Sequence, residues 1–152
     1  MMSPMPDPIS AFIAKQHVVS LACAANGEIW AANCFYAFDP ANYRLIILTK
    51  TSTKHGELML ANPNIAGTIA NQTETLREIE GIQFTATANL IETAHEKSLA
   101  LALYYQRHPI AKMLPTSDVW EIRFTRIKHT ANRLGFAQKT VWNLMSTFKQ
   151  EY

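Results

Sequence analysis

The chain carries almost no net charge. Its 14 Lys and Arg stand against 12 Asp and Glu, a formal +2, and the basic residues are scattered rather than run together. That field is too weak to argue for nucleic acid or an acidic membrane surface as partner. Cysteine is scarce too. Cys23 and Cys34 have neither CxxC spacing nor a His neighbour at metal-ligand spacing, so both read as buried thiols, which behave as small hydrophobes. No apolar run approaches the ~18 residues that a membrane span needs, and MMSPMPDPIS lacks the basic and apolar regions of a secretory leader. The expectation is a cytoplasmic protein without a membrane partner. Repeats, low-complexity tracts and linkers are also missing, so residues 1–152 read as one domain with 1–6 as a loose tail.

Hydrolytic and metal chemistry find no support. His17, His55, His95, His108 and His129 form no HxH or HxxxH pair, no G-x-S-x-G elbow occurs, and Asp7, Asp39 and Asp118 all read as turn or cap residues.

What is present is mainly β. Asp7-Pro8 resembles a helix start, and ISAFIAKQ gives a turn or two of amphipathic helix. HVVSLACA and EIWAANCFYAF flank Asn26-Gly27, a strong hairpin signal because both residues tolerate the positive φ of a type I′ turn. Asp39-Pro40-Ala41-Asn42 turns the chain into YRLIILT, and HGELMLAN reads as a short helix stopped by Pro63. NIAGTIAN and REIEGIQFTATANLIE follow as strands, with Gly81 marking a bulge or a close backbone approach. Thr93 and Glu96 match a capping box for a helix from about Ala94 to Arg107. VWEIRFTRIKH alternates as a half-buried strand, and LGFAQKTVWNL is β-type or irregular. About six strands with few helices suggest an antiparallel barrel closed on itself, since closure removes exposed edges. In ALALYYQRHPIAKML, a broad apolar face reads as core with its tyrosines at the rim.

The densest chemistry lies in TKTSTKH, residues 49–55, where a strand ends and a helix begins. A helix start exposes unpaired N–H groups and the positive end of the dipole. Ser52 and Thr53 could donate to phosphate oxygens, with Thr49 at the strand's end and Lys54 adding charge. The same residues could equally form a helix cap flanked by solvated cations.

The ordered set HVVSLACAANGEIWAANCFYAFD, YRLIILTKTSTKHGELMLANPNIAGTI and EGIQFTATANLI resembles the flavin-binding split-barrel family related to pyridoxamine phosphate oxidase, over roughly Gln16 to Trp142. It looks closest to a small bacterial branch with FYxFD in the second strand. The resemblance implies a mainly β fold, a six-stranded antiparallel split β-barrel with flanking helices. It implies a homodimer with two FMN sites in the interface. Thr49, Ser52, Thr53 and Lys54 would hold the phosphate. Asn33, Cys34 and Phe35 would pass beside the flavin ring, Gln83 would reach the cofactor region, and Trp142 or Phe136 would cover the ring from the partner chain. The implied activity is that of a flavin-dependent oxidoreductase on a small molecule, with NAD(P)H as a candidate donor.

This chain departs from the oxidases of the family. They carry an arginine on the second strand and an Arg-Lys pair at the elbow, whereas no arginine lies between Trp30 and Phe38 and Thr53 precedes Lys54. Each lost charge-assisted contact costs about 1.5 to 3 kcal/mol, so FMN would be held weakly. A non-catalytic flavin- or haem-binding module or sensor on the same barrel is the alternative expectation.

Overall fold

The computed structural model describes residues 2–132 and 138–145. Helix α1 spans Asp7–Lys15, and strands β1 (Val18–Ala25) and β2 (Glu28–Phe35) form the first hairpin. Its turn residues have the expected positive φ, 53° at Asn26 and 77° at Gly27. Then come β3 (Ala37–Asp39), β4 (Arg44–Leu48), α2 (Lys54–Ala61), β5 (Asn64–Ala70), β6 (Glu80–Leu90), α3 (Ala94–Arg107), β7 (Val119–Ala131) and β8 (Gln138–Asn143). Helix α1 starts one residue earlier than Asp7-Pro8 suggested, with Pro6 at the N-cap and no side-chain cap bond.

The strands make one antiparallel sheet in the order β2-β1-β5-β6-β7-β4-β3, with β8 also on β7. It curls into a split barrel, mainly β with three flanking helices. There are eight strands among the described residues, two more than expected. One arises because FYAFD breaks at Tyr36: its N–H donates to the His17 carbonyl at 3.0 Å as the last bond of the β1–β2 register, its hydroxyl donates to the Ile13 carbonyl at 2.7 Å, and from Ala37 the chain pairs with β4 instead. The other is Gln138–Asn143, a regular strand in register with Arg126–Ala131. The two edge strands, β2 and β3, are thus consecutive, and the corner at Tyr36 carries the chain from one sheet edge to the other.

Alternation on the strands fills the barrel. Val19, Leu21 and Cys23 of β1, Ile65 and Ile69 of β5, Ile82 and Phe84 of β6, and Trp120, Ile122 and Phe124 of β7 are all buried in one cluster, each large apolar side chain contributing about 1.5–3 kcal/mol. β4 is buried on both faces: Leu45 and Ile47 point into the barrel, while Ile46 joins a second cluster with Ala37, Val119, Ala100 and Tyr104 under α3. The ladder's register shift falls between Thr85 and Ala86; Gly81 is a close approach, since a Cβ there would sit 3.0 Å from the Ile69 carbonyl oxygen.

The N-terminal residues differ from the loose tail expected. Met2 bridges Met145, the Ser3 N–H donates to the Leu144 carbonyl at 3.0 Å, and Met5 is buried. Trp142 completes this lock by donating its indole N–H to the Ser3 carbonyl at 3.1 Å and tilting against Tyr43.

Candidate functional site

β4 ends at Leu48 and α2 begins at Lys54, so the elbow is a turn of five residues. Thr53 is its N-cap, accepting the Gly56 N–H at 3.0 Å and donating its own hydroxyl to the Lys50 carbonyl at 2.8 Å. Gly56 is required here, because a Cβ would collide with the Lys50 carbonyl oxygen and lie 2.8 Å from Thr53 Oγ1. Thr49 is buried, its hydroxyl 2.7 Å from His55 Nε2. Lys54 is paired with Glu28 at the start of β2. Of the four residues assigned to a phosphate, Thr49, Thr53 and Lys54 are therefore engaged within the chain, and the exposed Ser52 is the one that faces a cleft.

That cleft, about 510 Å³, lies between the elbow, α3 and the loop entering β7. The elbow contributes Lys50, Thr51 and Ser52, α3 contributes Lys97 and Leu101, and the loop contributes Thr116, Ser117 and Asp118. Lys50 and Lys97 make no ion pair among the described residues. Lys97 sits near the N-terminal end of its helix, where the dipole disfavours a cation, so its own helix does not account for it. Asp118 is the opposing charge, and it is spoken for by the Thr51 N–H, which donates to its Oδ2 at 2.9 Å. Two cations and four hydroxyl residues against one carboxylate is a donor set that suits a phosphate monoester.

Sequence reasoning left Lys50 as a solvated cation and read Asp118 as a turn residue; it did not find Lys97, Thr116 or Ser117 at all. No local pattern could have found them, because α3 and the β7 loop reach the elbow through tertiary contacts, the packing of Ala100 and Tyr104 on Ile46 and Val119 and the bonds that join Thr49 and Thr51 to Asp118.

Of the other expected residues, Asn33, Phe35 and Gln83 lie on the outward face of β2, β1, β5 and β6. Asn33, Ser20, Thr68 and Gln83 form one row across the four strands, and Ala31, Ala22, Ala66 and Thr85 form the next. Neither row contains a charge, and the first contains both Asn33 and Gln83, three strand spacings or roughly 14 Å apart. Asn33 Oδ1 accepts from Ser20 Oγ at 2.6 Å. Phe35 also faces outward, 56% exposed, stacked on His17 and edge-on to His108. Cys34 alternates inward, where burial pushes its thiol up to about 11. Among the described residues β2 is an edge strand whose ladder partner is β1. Trp142 does not cover a site on this face: it is 4% exposed and committed to Ser3 and Tyr43 of its own chain. Phe136 lies outside the described residues.

A family pattern described as pyridoxamine 5'-phosphate oxidase matches residues 5–131. The chain belongs to the pyridoxamine 5'-phosphate oxidase family. A UPF0306 protein of Haemophilus ducreyi is 46% identical over 144 residues, covering 93% of this chain and 97% of the relative. Solved structures share the fold at lower identity. An FAD-binding protein from Mesorhizobium loti superposes with a TM-score of 0.67 at 14% identity, over 82% of this chain and 94% of that one. A heme binding protein from Mycobacterium smegmatis does so with a TM-score of 0.68 at 18% identity, over 84% of this chain and 54% of that one. These structures are similar in fold, and the family's split barrel is the frame on which the elbow cleft and the neutral face are carried.

Proposed function

We propose that this chain is a cytoplasmic flavin-binding homodimer and a flavin-dependent oxidoreductase acting on a small molecule, with the phosphate of FMN held in the cleft over the elbow. The observation that carries the reading is the convergence of Lys50, Lys97, Thr51, Ser52, Thr116 and Ser117 on one cleft. Both lysines lack a carboxylate partner among the described residues, so an incoming phosphate need not displace one. Asp118 subtracts from the attraction, and the grip is correspondingly weak. Bound flavin would supply the hydride or electron chemistry, with NAD(P)H as a candidate donor. The chain's part is to bind and orient.

The uncharged rows Asn33–Ser20–Thr68–Gln83 and Ala31–Ala22–Ala66–Thr85 support the homodimer. Small neutral side chains on a sheet face can be covered by a second copy without stranding a charge. Ile29, 82% exposed, lies on this face of β2 and gains most from being covered.

The second reading, a non-catalytic flavin- or haem-binding module, is favoured by one feature: Lys54 and Thr53 are occupied by Glu28 and by the helix cap. One experiment separates the two. FMN is added to purified protein, excess is removed by gel filtration, and the spectrum is recorded before and after NADH or NADPH. Retained bands near ~375 and ~450 nm that bleach with nucleotide support the oxidoreductase. Retained bands that do not bleach support the module, and a colourless protein removes flavin from both readings.

A further inference from the structure

A second cleft lies on the other side of α3, between that helix and α1, with a volume of about 600 Å³. It shares no lining residue with the elbow cleft. The corner at Tyr36 and Ala37 and the side chain of Phe38 form its floor, Ala11 and Ala14 of α1 one wall, and Leu103 of α3 the other. The volume is in the range of small-molecule sites, ~300–1,000 Å³, and so is the pattern of an apolar lining with few polar groups.

Arg107, at the last turn of α3, is the full charge on this cleft. Two other arginines are paired: Arg44 with Asp39 and Glu121, and Arg123 with Glu121. Arg107 has no ion-pair partner among the described residues, and its bond to the Gln16 carbonyl is long, 3.5 Å. It lies close enough to Tyr36 for its charge to oppose the burial that raises that phenol's pKa. A guanidinium with no carboxylate partner among the described residues, beside an alanine-lined apolar wall, matches one planar anion attached to an apolar body. A phosphate dianion fits less well, because the cleft supplies one cation and a single hydroxyl-bearing wall residue, Ser10, beside the phenol of Tyr36, which already donates to Ile13.

We propose that the cleft between α1 and α3 binds a small apolar monocarboxylate, its carboxylate on Arg107 and its body against Ala11, Ala14, Phe38 and Leu103. The site is independent of the flavin reading, because neither the elbow nor the neutral sheet face takes part.

The test is calorimetric titration of the full chain with octanoate and with octan-1-ol. Saturable 1:1 binding of octanoate is expected, about tenfold or more tighter than the alcohol, the difference that one charge-assisted contact makes. Arg107→Gln should weaken octanoate by about the same factor and leave octanol unchanged, while Ala14→Phe should remove both by filling the cleft. If Ala14→Phe fails to give a native circular dichroism spectrum, Arg107→Gln decides, since Arg107 is exposed and its removal leaves the core intact. No saturable binding of octanoate, equal binding of acid and alcohol, or full affinity in Arg107→Gln would each overturn the proposal.

Discussion

Thr51 and Asp118 stand 67 positions apart and are joined by one hydrogen bond, from the Thr51 N–H to Asp118 Oδ2 at 2.9 Å. The bond fastens the elbow to the loop entering β7 and so shapes the cleft, while its carboxylate places a negative charge where an anion would sit. Geometry and electrostatics therefore oppose each other at this residue. Asp118→Asn keeps an acceptor for Thr51 and removes the charge. FMN affinity should rise several-fold, in keeping with about 1 kcal/mol for one charge at a solvated site, measured by quenching of flavin fluorescence.

Lys97→Gln and Lys50→Gln should each weaken FMN by about tenfold or more, the loss of one charge-assisted contact. Lys54→Gln should change affinity by less than either, because Lys54 is bound to Glu28. The same titration ranks the three variants. If Lys54→Gln proved the most damaging, the phosphate would belong on the other side of the elbow.

Covering the neutral sheet face with a second copy gives a solution mass of twice the 17.1 kDa chain. Ala66→Lys places a cation in the middle of that face, at an exposed position opposite Ala22 and Thr85, where the monomer tolerates it. Sedimentation should show the wild type as a dimer and the variant as a monomer with an unchanged circular dichroism spectrum; dimeric Ala66→Lys would move the interface elsewhere.

Burial lowers the pKa of His55, and its Nε2 lies 2.7 Å from Thr49 Oγ1. The unfolded chain then binds a proton at this site more readily than the fold does. Stability contributed by neutral His55 is fully present above the unfolded value of about 6.5 and is lost as pH falls below it, down to the folded pKa. Urea midpoints taken between pH 7.5 and 5.5 should fall more steeply for the wild type than for His55→Gln. Parallel slopes would mean that the elbow histidine does not sense pH.

Trp142→Ala removes a side chain that is 4% exposed, together with its bond to the Ser3 carbonyl. A cost of about 3–5 kcal/mol is expected for a truncation of this size, read as a lower urea midpoint at nearly constant m. The N-terminal residues should become sensitive to protease at the same time, because Met2 and Ser3 lose the strand that holds them.

Much of this molecule was written locally. Asn26-Gly27 requires positive φ and makes a hairpin wherever two β-type runs flank it. Thr93 capped α3 as its spacing indicated, accepting the Glu96 N–H at 3.3 Å. Alternation on β1, β5, β6 and β7 determined which side chains entered the barrel, since a one-residue slip would expose every one of them. The elbow was legible as a strand-to-helix junction for the same reason, and Thr53 is the cap that its residue type favours.

Tertiary structure decided the rest. Ile46 is buried although its strand neighbours Leu45 and Ile47 already face the barrel, because α3 covers the opposite side of β4. Tyr36 breaks a run that reads as one strand, because its hydroxyl is held by the Ile13 carbonyl and the next residue, Ala37, pairs with β4 rather than β1. Lys54 and Lys97 are alike as sequence, and the fold gives one a carboxylate and turns the other into a cleft. Local preferences act through neighbours a few residues away, and they specify the strands, turns and caps. The charge environment of a side chain is summed over groups brought near by packing from distant parts of the chain, so which cations remain free to meet a ligand is settled only when the barrel has closed.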